Sequence, residues 1–141
     1  MTLLAAALPI SAAFAQQPPV ESINDLLAHA DVAAGQATAK PCMSCHNFEK
    51  GGPNKFGPNL WDIVNRQRAS HTGFTYSGAL LSGKGKPWTY DELNHWLYGP
   101  SAYVPGTYMT FVGLKKTQDR ANVIAWLRTL SDHQAPLPTP K

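Results

Sequence analysis

The most constraining feature of the sequence is the run CMSCH at residues 42–46, which contains both cysteines of the 141-residue chain. Four interpretations of this run compete. A strained disulfide between Cys42 and Cys45 would suit a redox site of the thioredoxin kind, but such sites need a βαβ context that the sequence does not predict. Half of a zinc site would need a second pair of ligands, and the other histidines are scattered along the chain. The third interpretation is a chance arrangement.

The fourth interpretation, which we favour, is that the run attaches a haem covalently. C-x-x-C-H is the attachment signature of c-type haem. Two thiols on one helical turn can each add to a vinyl group on one edge of the porphyrin, and the imidazole of the next residue then points at the iron. We therefore predict one haem, attached through Cys42 and Cys45, with His46 as an axial ligand.

A methionine on the opposite face of the iron would complete an electron-transfer centre with a raised potential. The chain has three methionines. Met1 lies in the N-terminal apolar segment, and Met43 lies between the two cysteines, on the side of His46. Met109 remains, in the loop YVPGTYMTF, where a proline and a glycine mark an irregular segment that can wrap a flat cofactor. If Met109 is not the ligand, two histidines are the alternatives: His71 and His95.

The first 15 residues, MTLLAAALPISAAFA, are apolar and end in small residues of the A-x-A kind. This pattern predicts a secretory signal that is cleaved after Ala15, and hence a periplasmic protein. No Lys or Arg precedes the apolar run, so a truncated, uncleaved membrane anchor is the alternative. The rest of the chain divides into a lead-in segment (16–30), a main domain (31–131) and a proline-rich tail (132–141) that we expect to be disordered.

Hydrophobic periodicity predicts an all-α domain. Residues 47–75 are rich in Gly, Pro and Asn, and should be mostly loop with one helical turn near 60–65. Gly35 costs stability inside a helix, so we expect a packing reason for it. Four helices are predicted, each with its capping residues: 22–30 (Ser22 with Asp25), 32–40 (Asp31), 89–98 (Thr89) and 118–130 (Thr117).

The charge is mildly basic, with a net charge of +3 and a pI near 9.0. Nucleic-acid binders carry dense clusters of Lys and Arg, which this chain lacks. A docking face for an acidic protein partner agrees better with the charge, because long-range attraction speeds encounter.

Three stretches resemble class I cytochromes c, particularly the mitochondrial-type and alphaproteobacterial respiratory members. They are KPCMSCHNFEKGGPNKFGPNLWDIVNRQRASHTGFTYSGAL, YVPGTYMTFVGLKK and VIAWLRTL. The stretch LLAHADVAAGQATAKPC is also similar to the membrane-tethered cytochromes c of some bacterial respiratory chains. The resemblance runs from about Asp31 to about Ser131. It implies the all-α cytochrome c fold, in which the N- and C-terminal helices cross and loops wrap one covalently bound haem.

The resemblance also implies roles for residues around the haem. The carbonyl of Pro58 would accept a hydrogen bond from His46 and fix the orientation of its ring. Trp96 and Leu97 would face the haem. Trp96 stands where mitochondrial relatives usually carry a tyrosine that bonds the methionine sulfur, and its N–H lies in a different place. Three more residues would bind or neutralise the haem propionates: Arg66, Tyr76 and Trp88.

The function that the resemblance implies is one-electron transfer rather than catalysis. The donor would be a cytochrome bc-type complex and the acceptor a terminal oxidase. The alternatives are an acceptor for a periplasmic dehydrogenase and a haem enzyme whose distal site is open because Met109 does not bind. We expect a monomer that docks through its exposed haem edge. Fewer lysines frame this edge than in relatives, so docking should be more apolar and less salt-sensitive. The matching lysines are Lys55, Lys115 and Lys116.

Overall fold

The computed structural model describes residues 19–139, and the predicted signal lies outside this range. Between residues 19 and 139 no strand is formed, and Gln67 and Pro87 make a single antiparallel bridge. The all-α prediction is confirmed. No helix in the described range is long and apolar enough to cross a membrane. The helices are α1 (Asn24–Leu27), α2 (Val32–Thr38), a 3-10 helix (Lys40–Ser44), α3 (Gly78–Leu81), α4 (Tyr90–Tyr98), α5 (Pro100–Tyr103) and α6 (Thr117–Thr129).

Helices α2 and α6 cross in close contact at Gly35. A Cβ atom on Gly35 would lie 2.0 Å from the carbonyl oxygen of Asn122, so any other residue would force the two backbones apart. The Asn122 side chain also accepts a hydrogen bond from the Asp31 N–H at 3.0 Å. Asp31 caps α2, as predicted, by accepting from the Ala34 N–H at 2.9 Å. The packing reason for Gly35 is therefore this backbone-to-backbone contact.

The segment that carries the CMSCH run differs from the prediction of one helix over 32–40. The α-helix ends at Thr38, and a 3-10 helix follows from Lys40 to Ser44. Pro41 has no N–H to continue the α-helical hydrogen bonds, and its ring crowds the preceding turn. The tighter 3-10 geometry is a common solution at such a helix end.

The helical turn predicted near 60–65 is wrong. Asp62 and Asn65 have φ angles of 61° and 64°, and left-handed residues interrupt a right-handed helix. Helices α3 and α5 were not predicted. Ser77 caps α3 by accepting from the Leu80 N–H at 3.2 Å, and Pro100 begins α5 directly after the break between α4 and α5.

Helix α4 is capped by Thr89 as predicted, with the hydroxyl accepting from the Glu92 N–H at 3.2 Å. Helix α6 begins at Thr117, one residue earlier than predicted, and has no side-chain cap. The capping role predicted for Thr117 is therefore wrong. Its hydroxyl instead donates to the Glu21 carboxylate at 2.5 Å.

The lead-in segment packs on the domain through α1, which is shorter than the predicted helix. Its N-cap position is held by Ile23, which has no polar side chain, so the predicted capping box of Ser22 and Asp25 is wrong. Ile23 and Leu27 are 1% and 3% exposed, so one face of this short helix is buried against the domain.

The tail is ordered as far as it is described, contrary to our expectation. The carbonyl of Ala135 accepts hydrogen bonds from the Tyr90 hydroxyl at 3.1 Å and from the Arg128 Nε at 2.6 Å. Two groups on different helices therefore hold the proline-rich segment against the domain, which composition alone could not indicate.

Candidate functional site

A cavity of about 550 Å³ collects nearly all the residues predicted for the haem site. Its volume lies in the roughly 300–1,000 Å³ range of cofactor pockets. Most of the remaining wall is apolar, with side chains from α3, α4 and α6. Of the predicted residues, only Arg66 lies off the wall. The predicted residues on the wall are Cys42, Cys45, His46, Pro58, Tyr76, Trp88, Trp96, Leu97 and Met109.

The CMSCH run presents its thiols and imidazole from one tight turn. The Cys45 and His46 N–H groups both donate to the Cys42 carbonyl, at 3.1 and 2.8 Å. Cys42 is half-buried, Cys45 is exposed, and neither forms a disulfide. Burial raises the pKa of the Cys42 thiol, which keeps this thiol protonated. Both sulfurs are thus available to an edge of a planar cofactor.

The His46 ring is oriented by the backbone that follows it. Its Nδ1 lies 2.8 Å from the Pro58 carbonyl oxygen, as the resemblance implies. An Nδ1–H that donates there leaves the Nε2 lone pair free for a metal. Burial lowers the pKa of His46, which favours the neutral form that binds metals. A Cβ atom on Gly57 would lie 2.3 Å from the His46 Cε1, so glycine makes room for the ring.

The fold brings Met109, the predicted second ligand of the iron, to the cavity. It is half-buried and packs against the core, and its N–H lies 3.3 Å from the Thr107 hydroxyl. The two histidines considered in its place do not line the cavity. The backbone N–H of His71 donates to the Tyr76 hydroxyl at 3.2 Å. His95 stacks on Tyr103, with ring centroids 5.4 Å apart.

The polar end of the cavity is formed by Tyr76 and Trp88, with Arg66 behind them. Arg66 donates to the carbonyls of Trp61 and Asn59, at 3.0 and 2.9 Å. Burial raises the pKa of Tyr76, so its hydroxyl stays protonated and can donate to a carboxylate. Arg66 supplies a positive charge next to this hydroxyl, although burial lowers its pKa. The arrangement suits the acidic groups of a haem.

Arg68 is a residue that sequence analysis missed. Its guanidinium carbon lies 4.4 Å from the centroid of the Trp88 ring, and the group forms an ion pair with Glu92. Within the described part of the chain, its buried Nε has no hydrogen-bond partner. Trp88 in turn packs against Trp96 at 5.2 Å between ring centroids. No short-range pattern marks Arg68, because its partners come from other parts of the chain.

The residues present fit a covalently bound haem. Two unpaired thiols, an oriented imidazole, a thioether and the Tyr76 hydroxyl line one largely apolar cavity, and the Arg66 guanidinium lies near that hydroxyl, off the wall. A side chain at Gly57 would collide with the His46 ring, and glycine avoids this collision. This donor set matches His/Met-ligated iron rather than a site for a hard cation.

Comparisons with known proteins agree with this geometry. The family model described as cytochrome c matches residues 32–131. A cytochrome c homolog of Bradyrhizobium diazoefficiens is 49% identical over 84% of this chain and 65% of its own length. A cytochrome c-type cyt cy of Rhodobacter capsulatus is 45% identical over 71% of this chain and 49% of its own length. The chain thus spans less than two thirds of these curated relatives.

A solved structure gives the same result for the fold. Cytochrome cH from Methylobacterium extorquens superposes with a TM-score of 0.64 at 39% identity, covering 70% of this chain and 98% of that protein. The fold of crossed helices and wrapping loops is that of this neighbour. The chain therefore belongs to the cytochrome c family, whose members are electron-transfer proteins with covalently bound haem c and are not enzymes.

Proposed function

We propose that the chain is a periplasmic, monomeric carrier of single electrons from a cytochrome bc-type complex to a terminal oxidase. The observation that carries this proposal is the cavity wall shared by Cys42, Cys45, His46 and Met109. Family membership supports electron transfer, and the choice of donor and acceptor rests on the resemblance to respiratory cytochromes c. The apolar N-terminal 15 residues support export.

Each group of the chain has a defined task in this function. When bound, haem c supplies an iron that accepts and releases one electron. The thiols of Cys42 and Cys45 fix the cofactor to the chain, and the Pro58 carbonyl holds the His46 ring in place. Met109, which lines the same cavity, would supply a second ligand to the iron and would leave no position for a substrate. This second ligand is the reason to prefer a carrier over an enzyme with an open site.

The apolar wall tunes this centre. Trp96 and Leu97 are 8% and 7% exposed, and both line the cavity. A dry, apolar shell disfavours the additional positive charge of the oxidised iron and thereby raises the reduction potential. Trp96 packs on Trp88, so its ring cannot turn away without disturbing the polar end of the site.

The cavity opens between two exposed aromatic residues. Phe56 and Tyr108 are 90% and 73% exposed, and both line the opening. Exposed aromatic residues of this size are typical of interface centres. Of the predicted docking lysines, Lys55 donates to the Met43 carbonyl, and Lys115 donates to the Tyr98 carbonyl at 2.5 Å. The opening thus has an aromatic frame, Phe56 with Tyr108, and none of the predicted docking lysines is part of the cavity lining.

This surface supports a transient partner with an apolar centre and a thin acidic rim. Redox partners release quickly because their interfaces are small. Attraction by the lysines speeds encounter, and this attraction weakens as the salt concentration rises. Apolar contact with the aromatic frame does not weaken with salt. We expect a shallow dependence of the second-order rate on ionic strength, measured by stopped flow with a purified bc-type complex or oxidase.

The test of the proposal is the intact mass and visible spectrum of full-length protein produced together with haem-maturation machinery. One haem per chain, with the weak far-red band of a methionine–iron bond in the oxidised state, is the expected result. Met109→Ala should lose this band, and the matched control His71→Ala should keep it. A colourless protein, or a high-spin spectrum in the unmodified chain, would refute the ligand set. The mass also shows whether cleavage occurs after Ala15.

A further inference from the structure

Residues 21–27 form a docked segment that precedes the part of the chain matched by the cytochrome c family model. Ile23 and Leu27 are 1% and 3% exposed, and α1 packs on α6. A flexible linker would leave such side chains in water. The segment is therefore part of the folded domain, and its contacts have a defined geometry.

Glu21 connects this segment to two helices at once. Its backbone carbonyl accepts a hydrogen bond from the Asn94 Nδ2 of α4 at 2.8 Å. Its carboxylate accepts from the Thr117 hydroxyl, at the first residue of α6, at 2.5 Å. Asn94 is 0% exposed with Glu21 in place, so the Glu21 carbonyl, not water, satisfies its amide nitrogen in the fold.

Asn94 links the Glu21 contact to Arg120, because its amide group bonds both residues. The Asn94 Oδ1 accepts from the Arg120 Nε at 2.7 Å. A guanidinium only donates, so the oxygen of the Asn94 amide faces Arg120 and its nitrogen faces the Glu21 carbonyl, which accepts. The two hydrogen bonds together hold the amide in one position, and loss of the Glu21 contact removes one of them.

Arg120 holds the segment that carries Met109. This arginine is 1% exposed and donates through Nη1 to the carbonyls of Leu114 and Lys115, at 2.9 Å each. These carbonyls end the loop that follows Met109. The Leu114 N–H donates in turn to a carbonyl of α4 at 2.7 Å. The buried guanidinium of Arg120 therefore holds the C-terminal end of the loop that carries Met109.

We propose that residues 21–27 are a latch, which positions the Met109 loop through Asn94 and Arg120 and thereby strengthens methionine ligation. This inference rests on the proposed function, since it takes Met109 as an iron ligand. Asn94 and Arg120 are positioning residues and do not touch the cofactor site. Releasing the latch makes it easier for Met109 to leave, without changing the ligand itself.

The test is the binding of free imidazole to the oxidised, haem-loaded full-length protein, followed by its visible spectrum. Imidazole reaches the metal only when Met109 has left, so its apparent Kd varies inversely with the fraction of open loop. In Ile23→Ala/Leu27→Ala we expect about a tenfold tighter apparent Kd, because the lost buried hydrogen bonds are worth about 1.4 kcal/mol, the equivalent of that factor. Thr117→Val removes the bond from the Thr117 hydroxyl to Glu21 and the longer 3.4 Å bond that this hydroxyl accepts from the Arg120 Nη2, and it should show a smaller change in the same direction.

Leu130→Ala is the matched control. Leu130 packs against the core directly after α6, ten residues beyond Arg120, or roughly 15 Å along a helix axis. Leu130→Ala should lower the free energy of unfolding and leave the imidazole Kd unchanged. If the latch residues acted only through overall stability, Leu130→Ala would tighten the imidazole Kd as the latch variants do.

Two outcomes overturn the latch. An imidazole Kd in both latch variants equal to that of the unmodified chain refutes the latch alone, provided that the unmodified chain has the far-red methionine band. Absence of that band from the unmodified chain refutes the proposed ligand set and the latch together. If the double alanine variant does not take up haem, Thr117→Val alone decides.

Discussion

Gly57→Ala tests the fit between the backbone and the imidazole of His46. The added methyl group would lie 2.3 Å from the His46 Cε1 and 2.6 Å from its Nδ1. Carbon atoms pack at about 3.5–4 Å, so the ring must move by roughly 1 Å or more. Gly57 has no positive φ angle, so the backbone itself accepts alanine and the whole effect is steric. The displaced ring then loses its 2.8 Å hydrogen bond to the Pro58 carbonyl.

The magnitude follows from these two losses. Overpacking costs about 1–3 kcal/mol, and the hydrogen bond contributes about 1 kcal/mol. The lower chain entropy of alanine in the unfolded state offsets about 0.4–1 kcal/mol. We expect a net destabilisation of about 2 kcal/mol, which lowers the Tm of a domain this size by roughly 5–10 °C.

Thermal unfolding and the visible spectrum of the haem-loaded variant measure both effects. Gly78→Ala is the matched control, because its Cβ would meet nothing within 4 Å. We expect the Gly78 variant to unfold at a Tm equal to or slightly above that of the unmodified chain, because alanine lowers the entropy of the unfolded state there without a clash. The Gly57 variant should show both a lower Tm and an altered spectrum. A Gly57 variant with unchanged Tm and spectrum would refute the argument that the ring position depends on the missing side chain.

Three further predictions concern the free energy of unfolding, measured by chemical denaturation. Gly35→Ala should lose about 3 kcal/mol, because its methyl group meets the Asn122 carbonyl, which no side-chain rotation can move. An unchanged stability would contradict the close crossing of α2 and α6. Glu92→Gln should lose about 2 kcal/mol, because it leaves the buried charge of Arg68 without its partner. Adding Arg68→Met to this variant should restore part of the lost stability. If it restores none, the unpaired charge of Arg68 is tolerated and the argument is wrong. Tyr90→Phe should lose about 1 kcal/mol with its bond to the tail. Burial raises the pKa of Tyr90 above its usual 10.0, so the tyrosine stabilises the fold below pH 10 and less so above it. The free energies of unfolding of Tyr90→Phe and of the unmodified chain should therefore approach each other at alkaline pH. A gap between them that widens with pH would contradict the raised pKa.

The parts of the site that depend on local sequence could be predicted. The spacing of Cys42, Cys45 and His46 fixes their chemistry because one turn carries all three. Thr89 and Asp31 were recognised as caps, since a capping side chain bonds only a few residues ahead. The prediction of Met109 followed from the small number of methionines, and the fold brings it to the same cavity.

The parts that depend on distant contacts could not be predicted. Thr117 has the sequence position of a cap, but its hydroxyl bonds Glu21 from the other end of the chain. Arg68 looks like a solvated charge until the fold brings Glu92 and Trp88 to it. The tail has the composition of a disordered segment, and groups elsewhere in the chain, two of them on α4 and α6, hold it in place. In each case the partner lies beyond the reach of periodicity or capping rules.

The contact at Gly35 has a consequence for how this chain can vary. Most tight contacts join two side chains, so a larger residue on one side can be compensated by a smaller one on the other. Here the opposing atom is the main-chain oxygen of residue 122, which every amino acid carries. No second substitution can restore the lost space, so a change at position 35 has to be met by a shift of one whole helix against the other.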